Sequence, residues 1–314
     1  MEQPLVSVLM PMRNAAQYVA EAVRSITEQN YGDLEVVVID DGSTDDSAAI
    51  VQDLGDPRIR VVPGPQQGIS AAFNSGLAAA TGTIIMRCDA DDRFARDRIA
   101  TQVQFLTEHQ EYGALCGAYR SIAPNGALAA ELVTERPSGE ITEALLNGET
   151  PTHLCTFAIR VEALRRLGGC RNAFVTAEDI DLQLRLSEVT RVYFSNAIAY
   201  DYRLHHDSIT HQQASAKRSF YEQLARDCRA ERAAGGQDCV ARGEVPAPPE
   251  DGGPAKSSND HLQGHLLAQA WRYHAHGRRL SAISFGVRAL ATEPRALRSW
   301  KSLLALALKR SAGH

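Results

Sequence analysis

The chain lacks any long apolar run. In 314 residues, no stretch approaches the ~18 consecutive apolar residues that a membrane-spanning helix needs. No leader with a charged start and an apolar middle opens it. It also lacks paired cysteines. Cys88, Cys116, Cys155, Cys170, Cys228 and Cys239 are scattered, and none stands in a C-x-x-C pair. That pattern suggests neither a zinc site nor a disulfide framework. The simplest expectation is reduced thiols in a cytoplasmic protein. Excess charge of one sign is small: 33 Lys and Arg against 38 Asp and Glu leave a net −5. A general nucleic-acid binder would be basic, so nucleic acid is not an expected partner. The apolar fraction, 44%, is that of a globular protein with room for one large domain plus an appendage.

What the chain has is acid at the ends of apolar strands. Thr83-Ile84-Ile85-Met86 reads as a buried strand and runs into Arg87-Cys88-Asp89-Ala90-Asp91-Asp92. Three carboxylates within four residues repel one another, and burying them is costly unless a cation neutralises them. Hard oxygen donors suit Mg²⁺ or Mn²⁺, ions that commonly also bind substrate phosphates. An acidic turn with a helix N-cap at Asp92 or Asp97 is the alternative, because a D-x-D is short. A second strand, Leu34 to Ile39, runs into Asp40-Asp41-Gly42-Ser43-Thr44-Asp45-Asp46. Gly42 permits a tight turn, and Ser43, Thr44 or Asp45 can cap a helix from Ser47 to Leu54. Asp40 or Asp41 would then be free to accept hydrogen bonds from a base or ribose. A first strand, Leu5 to Met10, ends at Pro11-Met12-Arg13-Asn14. Three strands thus deliver polar residues to one sheet edge, where α/β folds bind nucleotides.

The stretches "VSVLMPMRN", "VVVIDDGSTDDS", "GISAAFNSGL", "IIMRCDADD" and "AEDIDLQLRL" resemble the family-2 inverting glycosyltransferases of the GT-A fold. The resemblance covers residues 4–212, about two thirds of the chain. It implies an α/β architecture, a Rossmann-like and mostly parallel sheet flanked by helices, followed here by a C-terminal helical region. It further implies a nucleotide-sugar donor, bound with a divalent cation. Asp41, with Asp40 beside it, would contact the base, with Pro11 and Arg13 alongside. Asp89 would meet the ribose, or the metal through water, and Asp91 would bind Mg²⁺ or Mn²⁺ directly. The Glu178-Asp179 pair matches the motif that supplies the general base: Asp179, or failing that Glu178. The residues themselves have a plainer reading, a Thr176…Asp179 capping box with acids in a first helical turn. Tyr202-Arg203-Leu204-His205-His206-Asp207-Ser208 resembles a family segment that closes over the diphosphate. In it His205 would ligate the metal or bond a phosphate, unless it is a solvated loop histidine. Asn74 is kept from the donor-side helix, but Phe73 stands where some relatives carry an arginine. The Q-x-x-R-W of processive members has no counterpart, since Gln183-Leu184-Arg185-Leu186 does not fit it.

The expected division is a catalytic domain over 1–213, a connecting helix over 214–234, a flexible Gly- and Pro-rich linker over 235–258, and a helical region over 259–314. Within the last, "AWRYHAHGRRLSAISFGVRALATEP" resembles a tetratricopeptide-type helix pair. One such unit is too few for a solenoid, so it should pack on the catalytic domain or on a second subunit, giving a homodimer. His261 and His265 have helical spacing that can hold a metal, but no third ligand is evident. The segment from Arg295 to Leu304 is basic and amphipathic. It suits either a helical cap or peripheral association with an anionic membrane, where lipid-linked acceptors reside. The leading expectation is transfer of one sugar, from a donor expected to be UDP-linked, to a surface glycan or lipid-linked acceptor. A sugar-nucleotide nucleotidyltransferase would instead need a Gly-rich, basic loop after the first strand. A non-catalytic scaffold would not need intact acidic motifs.

Overall fold

The computed structural model describes residues 3–132, 136–205, 215–249, 258–294 and 297–308. Its first three strands are β1 (Val6–Met12), β2 (Leu34–Asp40) and β3 (Ile59–Pro63), with β4 (Ile84–Arg87) next in chain order among the sheet's central members. Helices α1 (Val19–Thr27), α2 (Ser47–Asp53) and α3 (Ile69–Ala79) make the crossovers. These strands are parallel: β1 pairs with β2 from Val6↔Leu34 to Met12↔Asp40, and on its other side with β4 from Val6↔Ile84 to Leu9↔Arg87. Every residue of β1 is buried, as the near-continuous apolar run of a two-sided strand requires.

The rest of the sheet reverses direction. Its further strands are β5 (Arg93–Phe94), β6 (Tyr112–Ile122), β7 (Leu128–Leu132), β8 (Gly139–Glu140), β9 (Ala158–Arg160) and β10 (Arg191–Arg203). The order is β3-β2-β1-β4-β9-β6-β10-β5, with β7 on β6 and β8 on β10. Both neighbours of β9, β4 and β6, run antiparallel to it. The sheet is therefore mixed, parallel on the β1–β4 side only. Helices α4 (Arg98–Glu108), α5 (Thr142–Leu146), α6 (Val161–Leu167), α7 (Glu178–Val189) and α8 (Ser215–Ala233) complete this part. Asp97 does occupy the N-cap position of α4, but its side chain makes no capping bond.

The chain divides into two compact units that are not continuous in sequence. The first holds residues 1–119, 134–201 and 217–250, the second residues 120–133, 202–216 and 251–314. In the first unit a core of Leu9, Ile39, Phe73, Phe157, Leu182 and Phe194 fills the space between sheet and helices. A smaller cluster seats α8 against α7 through Ile180, Leu184, Tyr221, Leu224 and Cys228.

The segment expected as a loose linker is anchored where it is described. Asp238, at 1% exposure, accepts bonds from Arg171 at 2.7 Å and from Arg232, and Cys239 packs 3.6 Å from Cys228. Residues 250–257 lie outside the described residues. The anchoring of Asp238 is electrostatic: Arg171 also binds the wholly buried Asp181 of α7, and a part-buried cation between two carboxylates holds both segments.

The second unit contains the β6–β7 hairpin end, turned at Pro124-Asn125-Gly126, where Gly126 takes φ 80°. It also holds helices α9 (Ser258–Ala275), α10 (Arg279–Thr292) and α11 (Leu297–Leu308). Arg203 is buried and donates to the Pro124 carbonyl at 2.9 Å. Arg288 of α10 donates to the Ala129 carbonyl of β7 at 2.6 Å. Helices α10 and α11 approach closely at Gly286, where an added Cβ would lie 2.9 Å from Leu303. The side chains of His261 and His265 lie outside the described residues.

Candidate active site

Parallel pairing brings the acidic strand ends together. Met12 is level with Asp40, and Leu9 with Arg87. The ladder then continues past the strands, with Asp41 N–H donating to Met12 O at 2.8 Å and Cys88 N–H to Leu9 O at 3.0 Å. Pro11 and Asp40 therefore lie at the carboxyl ends of β1 and β2, and Asp41, Asp89 and Asp91 just past those of β2 and β4, on either side of the point where the strand order reverses. Such a crevice is where open α/β sheets bind ligands.

The β1 and β2 loops are clamped to each other. Asn14, in the left-handed region at φ 52°, donates its N–H to Ser43 Oγ and accepts from Thr44 N–H at 2.8 Å. Asp45 accepts from Ala16 N–H and Ser47 N–H, so it does serve the start of α2. Arg13 is exposed. Asp40 is less free than expected, because its Oδ1 accepts Ser43 N–H at 2.9 Å. Asp41 is buried and accepts Gln66 N–H at 2.6 Å and Gly68 N–H at 3.3 Å. Gly64 allows this, since a Cβ there would stand 2.7 Å from Asp41 Oδ1.

Arg87, the last residue of β4, joins the Asp89–Asp91 segment to the Glu178-Asp179 pair. Its Nε donates to Asp89 Oδ1 at 2.7 Å and its Nη1 to Glu178 Oε1 at 3.1 Å. Both Arg87 and Glu178 are buried. Burial and then the neighbouring Asp179 charge push the Glu178 carboxyl above its ordinary range, and Arg87 opposes that shift. For Arg87, burial works against the charged form, yet the facing carboxylates win and hold it well above its usual value. Asp89 has two further ties: its N–H donates to Tyr200 Oη at 3.0 Å, and Cys155 Sγ donates to its Oδ2 at 3.4 Å. Tyr200 is fixed by Arg98, whose guanidinium lies 3.9 Å from the Phe94 ring and 5.7 Å from that of Tyr200.

Asp179 is held differently from its neighbour. Among the described residues its Oδ1 is buried without a hydrogen-bond partner, and Arg218 Nη2 of α8 stands 3.9 Å from it. Arg218 is itself tied to Glu222 at 2.9 Å. His153, edge-on to Tyr119 with ring centroids 4.3 Å apart, feels Asp179, Arg218 and Asp89. Burial is the larger influence and pushes its imidazole below the ordinary value.

Two expectations are corrected here. Thr176 does not cap α7. The N-cap position is Ala177, in the left-handed region at φ 57°, with no side-chain capping bond. A non-glycine residue held there is strained by about 1 kcal/mol or more, which turns the chain so that both acids open the helix. Asn74, expected on the donor side, spends its amide within the protein. Its amide donates to Cys170 O and accepts Cys170 N–H, both at 2.8 Å, so it clamps α3 to the turn after α6. His205 is buried and belongs to the second unit. The remainder of its segment, residues 206–214, lies outside the described residues.

Sequence reasoning assigned no role to Arg87, Tyr200, Cys155, His153 or Arg218. Arg87 alone carried a signal, a charged residue closing an otherwise apolar strand. The other four approach the acids only through the antiparallel half of the sheet and α8.

Among the described residues no three His, Cys, Asp or Glu side chains converge as a ready-made metal cage. Mg²⁺ at a nucleotide site commonly takes only one or two carboxylates, with substrate phosphates completing its shell. Asp89 and the half-buried Asp91 fit that donor set.

Comparison with known proteins extends these observations. Chondroitin synthase of Pasteurella multocida strain Pm70 is 31% identical over 209 residues, 65% of this chain and 21% of that protein. The uncharacterized glycosyltransferase EpsJ of Bacillus subtilis strain 168 is 35% identical over 153 residues, 45% of this chain and 43% of its own. The chain spans about a fifth of the length of the two synthases of Pasteurella multocida that it matches. Among solved structures, S. aureus TarS 1–349 in complex with UDP-GlcNAc superposes with a TM-score of 0.57 at 15% identity, covering 98% of this chain and 93% of that one. The mannosyltransferase PcManGT from Pyrobaculum calidifontis, in complex with GDP-Man and Mn²⁺, gives 0.58 at 23% identity, covering 98% and 81%. At such identities the likeness is one of fold, the GT-A fold. The Glycosyl transferase family 2 model matches residues 7–168, just over half of the chain and all of it from β1 through α6, and the chain belongs to that family.

Proposed function

We propose that the chain transfers a single sugar from a nucleotide-diphosphate sugar, a UDP-sugar by preference, to a glycan or lipid-linked acceptor in surface polysaccharide synthesis. The anomeric carbon is inverted, and the enzyme works from the cytoplasmic side, at the inner face of the membrane when its acceptor is lipid-linked. The observation that carries this reading is the Arg87 bridge. One buried cation ties the donor-side acid Asp89 to the Glu178-Asp179 pair, so both reactants are addressed from one sheet edge. The two structural neighbours are complexes with UDP-GlcNAc and with GDP-Man, which supports a nucleotide-sugar donor and leaves the base to Asp41 and its surroundings.

Asp89 and Asp91 would hold a divalent cation, which supplies neutralisation of the charge left on the departing diphosphate. Asp41, already aligned by the backbone of residues 66–68, receives the base along Pro11. Asp179 takes the proton from the acceptor hydroxyl at its carboxylate, and that hydroxyl attacks the anomeric carbon from the side opposite the diphosphate. A carboxylate oxygen without a hydrogen-bond partner is suited to receive a proton. Glu178 is committed to Arg87 and keeps the pair in register. The attacking oxygen forms its bond as the bond to the diphosphate breaks, so no covalent enzyme intermediate is needed.

The reading is tested with a thermal-shift panel of UDP, GDP and their sugars, with and without Mn²⁺. A ligand that binds only the native state adds about 2.7 kcal/mol at 100 times its Kd. A metal-dependent shift with one nucleotide, lost in Asp91→Ala, is the expected result. No shift with any nucleotide would overturn it.

A further inference from the structure

We infer that α11 docks the chain on an anionic lipid surface through a single exposed apolar stripe. Leu297, Trp300, Leu304 and Leu308 are 74%, 47%, 58% and 79% exposed. At about 100° per residue they share an arc roughly 80° wide. The opposite face is inside the protein, for Ser299 and Leu306 are fully buried. Leu306 packs inward with Ala270 and Ala282 and the exposed side is apolar too, so the helix has one inner partner and lacks an outer one among the described residues. The Trp300 indole N–H donates to Pro294 O at 2.9 Å. Its polar atom is satisfied, leaving the ring free for an apolar environment.

Charge selects the occupant. Residues 258–314 carry nine Lys and Arg against two acids, Asp260 and Glu293, while the chain as a whole is −5. Lys301, exposed, follows Trp300 along the edge of the stripe. An apolar stripe edged by a lysine and set in a basic segment is the form of helix that lies in a membrane interface and is drawn to anionic lipid. A second copy is a poorer occupant. A two-fold interface sets the same patch against itself, so it would face one strongly basic segment with another.

This inference deepens the lipid-linked branch of the proposed function, yet its test uses no donor or acceptor, so either can fail alone. Full-length protein is floated with vesicles of equal parts phosphatidylglycerol and phosphatidylcholine, and with phosphatidylcholine alone. Binding to the anionic vesicles that weakens with added salt is expected. The double variant Leu304→Glu, Leu308→Glu, confined to exposed positions, should lose it by about tenfold or more while its circular dichroism is unchanged. A blue shift of fluorescence on binding, absent in Trp300→Phe, would place the stripe in the lipid. No flotation at low salt, or equal flotation of the double variant, would overturn the inference. So would a concentration-dependent dimer, seen by light scattering and abolished by the double variant, without flotation.

Discussion

Arg87 is the residue on which the site turns, and its removal should show it. Arg87→Met leaves Glu178 buried with no counter-charge and should cost about 3–5 kcal/mol in urea melts. Arg87→Met with Glu178→Gln should recover much of that, because the orphaned charge is then gone. Equal loss in the single and double variants would mean that the two do not act as a pair. Asp179→Asn is nearly isosteric and should lower transfer by about 10²–10⁴-fold, with donor affinity little changed. If Asp179→Asn is active and Glu178→Gln dead, the base is Glu178. Glu35 offers a test far from the site. Burial alone would raise its pKa, but hydrogen bonds from Ser7, Thr81 and Arg60 overcome that and bring it down to about 2. Its folded pKa is depressed, so its contribution is present above about pH 4.5 and lost as pH falls toward 2. That contribution is on the order of 2 kcal/mol. Glu35→Gln should therefore narrow its stability deficit against the parent on acidification. A deficit that stays constant from pH 6 to pH 3 would contradict this.

Elements were legible in the sequence where one rule governed them. The strands at Val36, Ile59 and Ile84, and the α6 stop at Gly168, announce themselves by apolar runs and by a left-handed glycine at φ 69°. Strand β10 did not, since its middle, Ser195-Asn196-Ala197, is partly exposed and breaks the pattern. It pairs on the antiparallel side, where contacts come from distant segments. The anchoring of residues 235–249 was likewise illegible, because Gly-rich composition carries no sign of Arg171, some 67 positions away. Asp238→Ala should strip that anchor, and trypsin should then cut after the exposed Arg242 faster than in the parent. Equal cutting would mean that the packing of Cys239 on Cys228 suffices without the ion pairs. The acids of the candidate site were legible as sequence positions. Their partners were not, because an unpartnered oxygen at Asp179 or an amide spent on Cys170 exists only once the chain is folded.

The second compact unit is discontinuous, so the described residues 120–132 and 202–205 group with helices that follow much later in the chain. In the proposed reading, donor and acceptor chemistry share one guanidinium of the first unit. Arg87 divides its charge between Asp89 and Glu178, and a cation arriving at Asp89 would relieve it of half that duty. What one ligand does to the pair, the other must do in return, since coupling of binding free energies is reciprocal. Acceptor affinity should therefore rise when donor and metal are bound, and donor affinity should rise equally with acceptor. Calorimetric titrations in both sequences, in an Asp179→Asn background that halts turnover, measure that factor. In Arg87→Lys, a point charge replaces the planar fork that bridges the two acids, and the factor should fall toward one. The two ligands would then bind independently, and acceptors would be taken up as readily without a sugar at hand as with one.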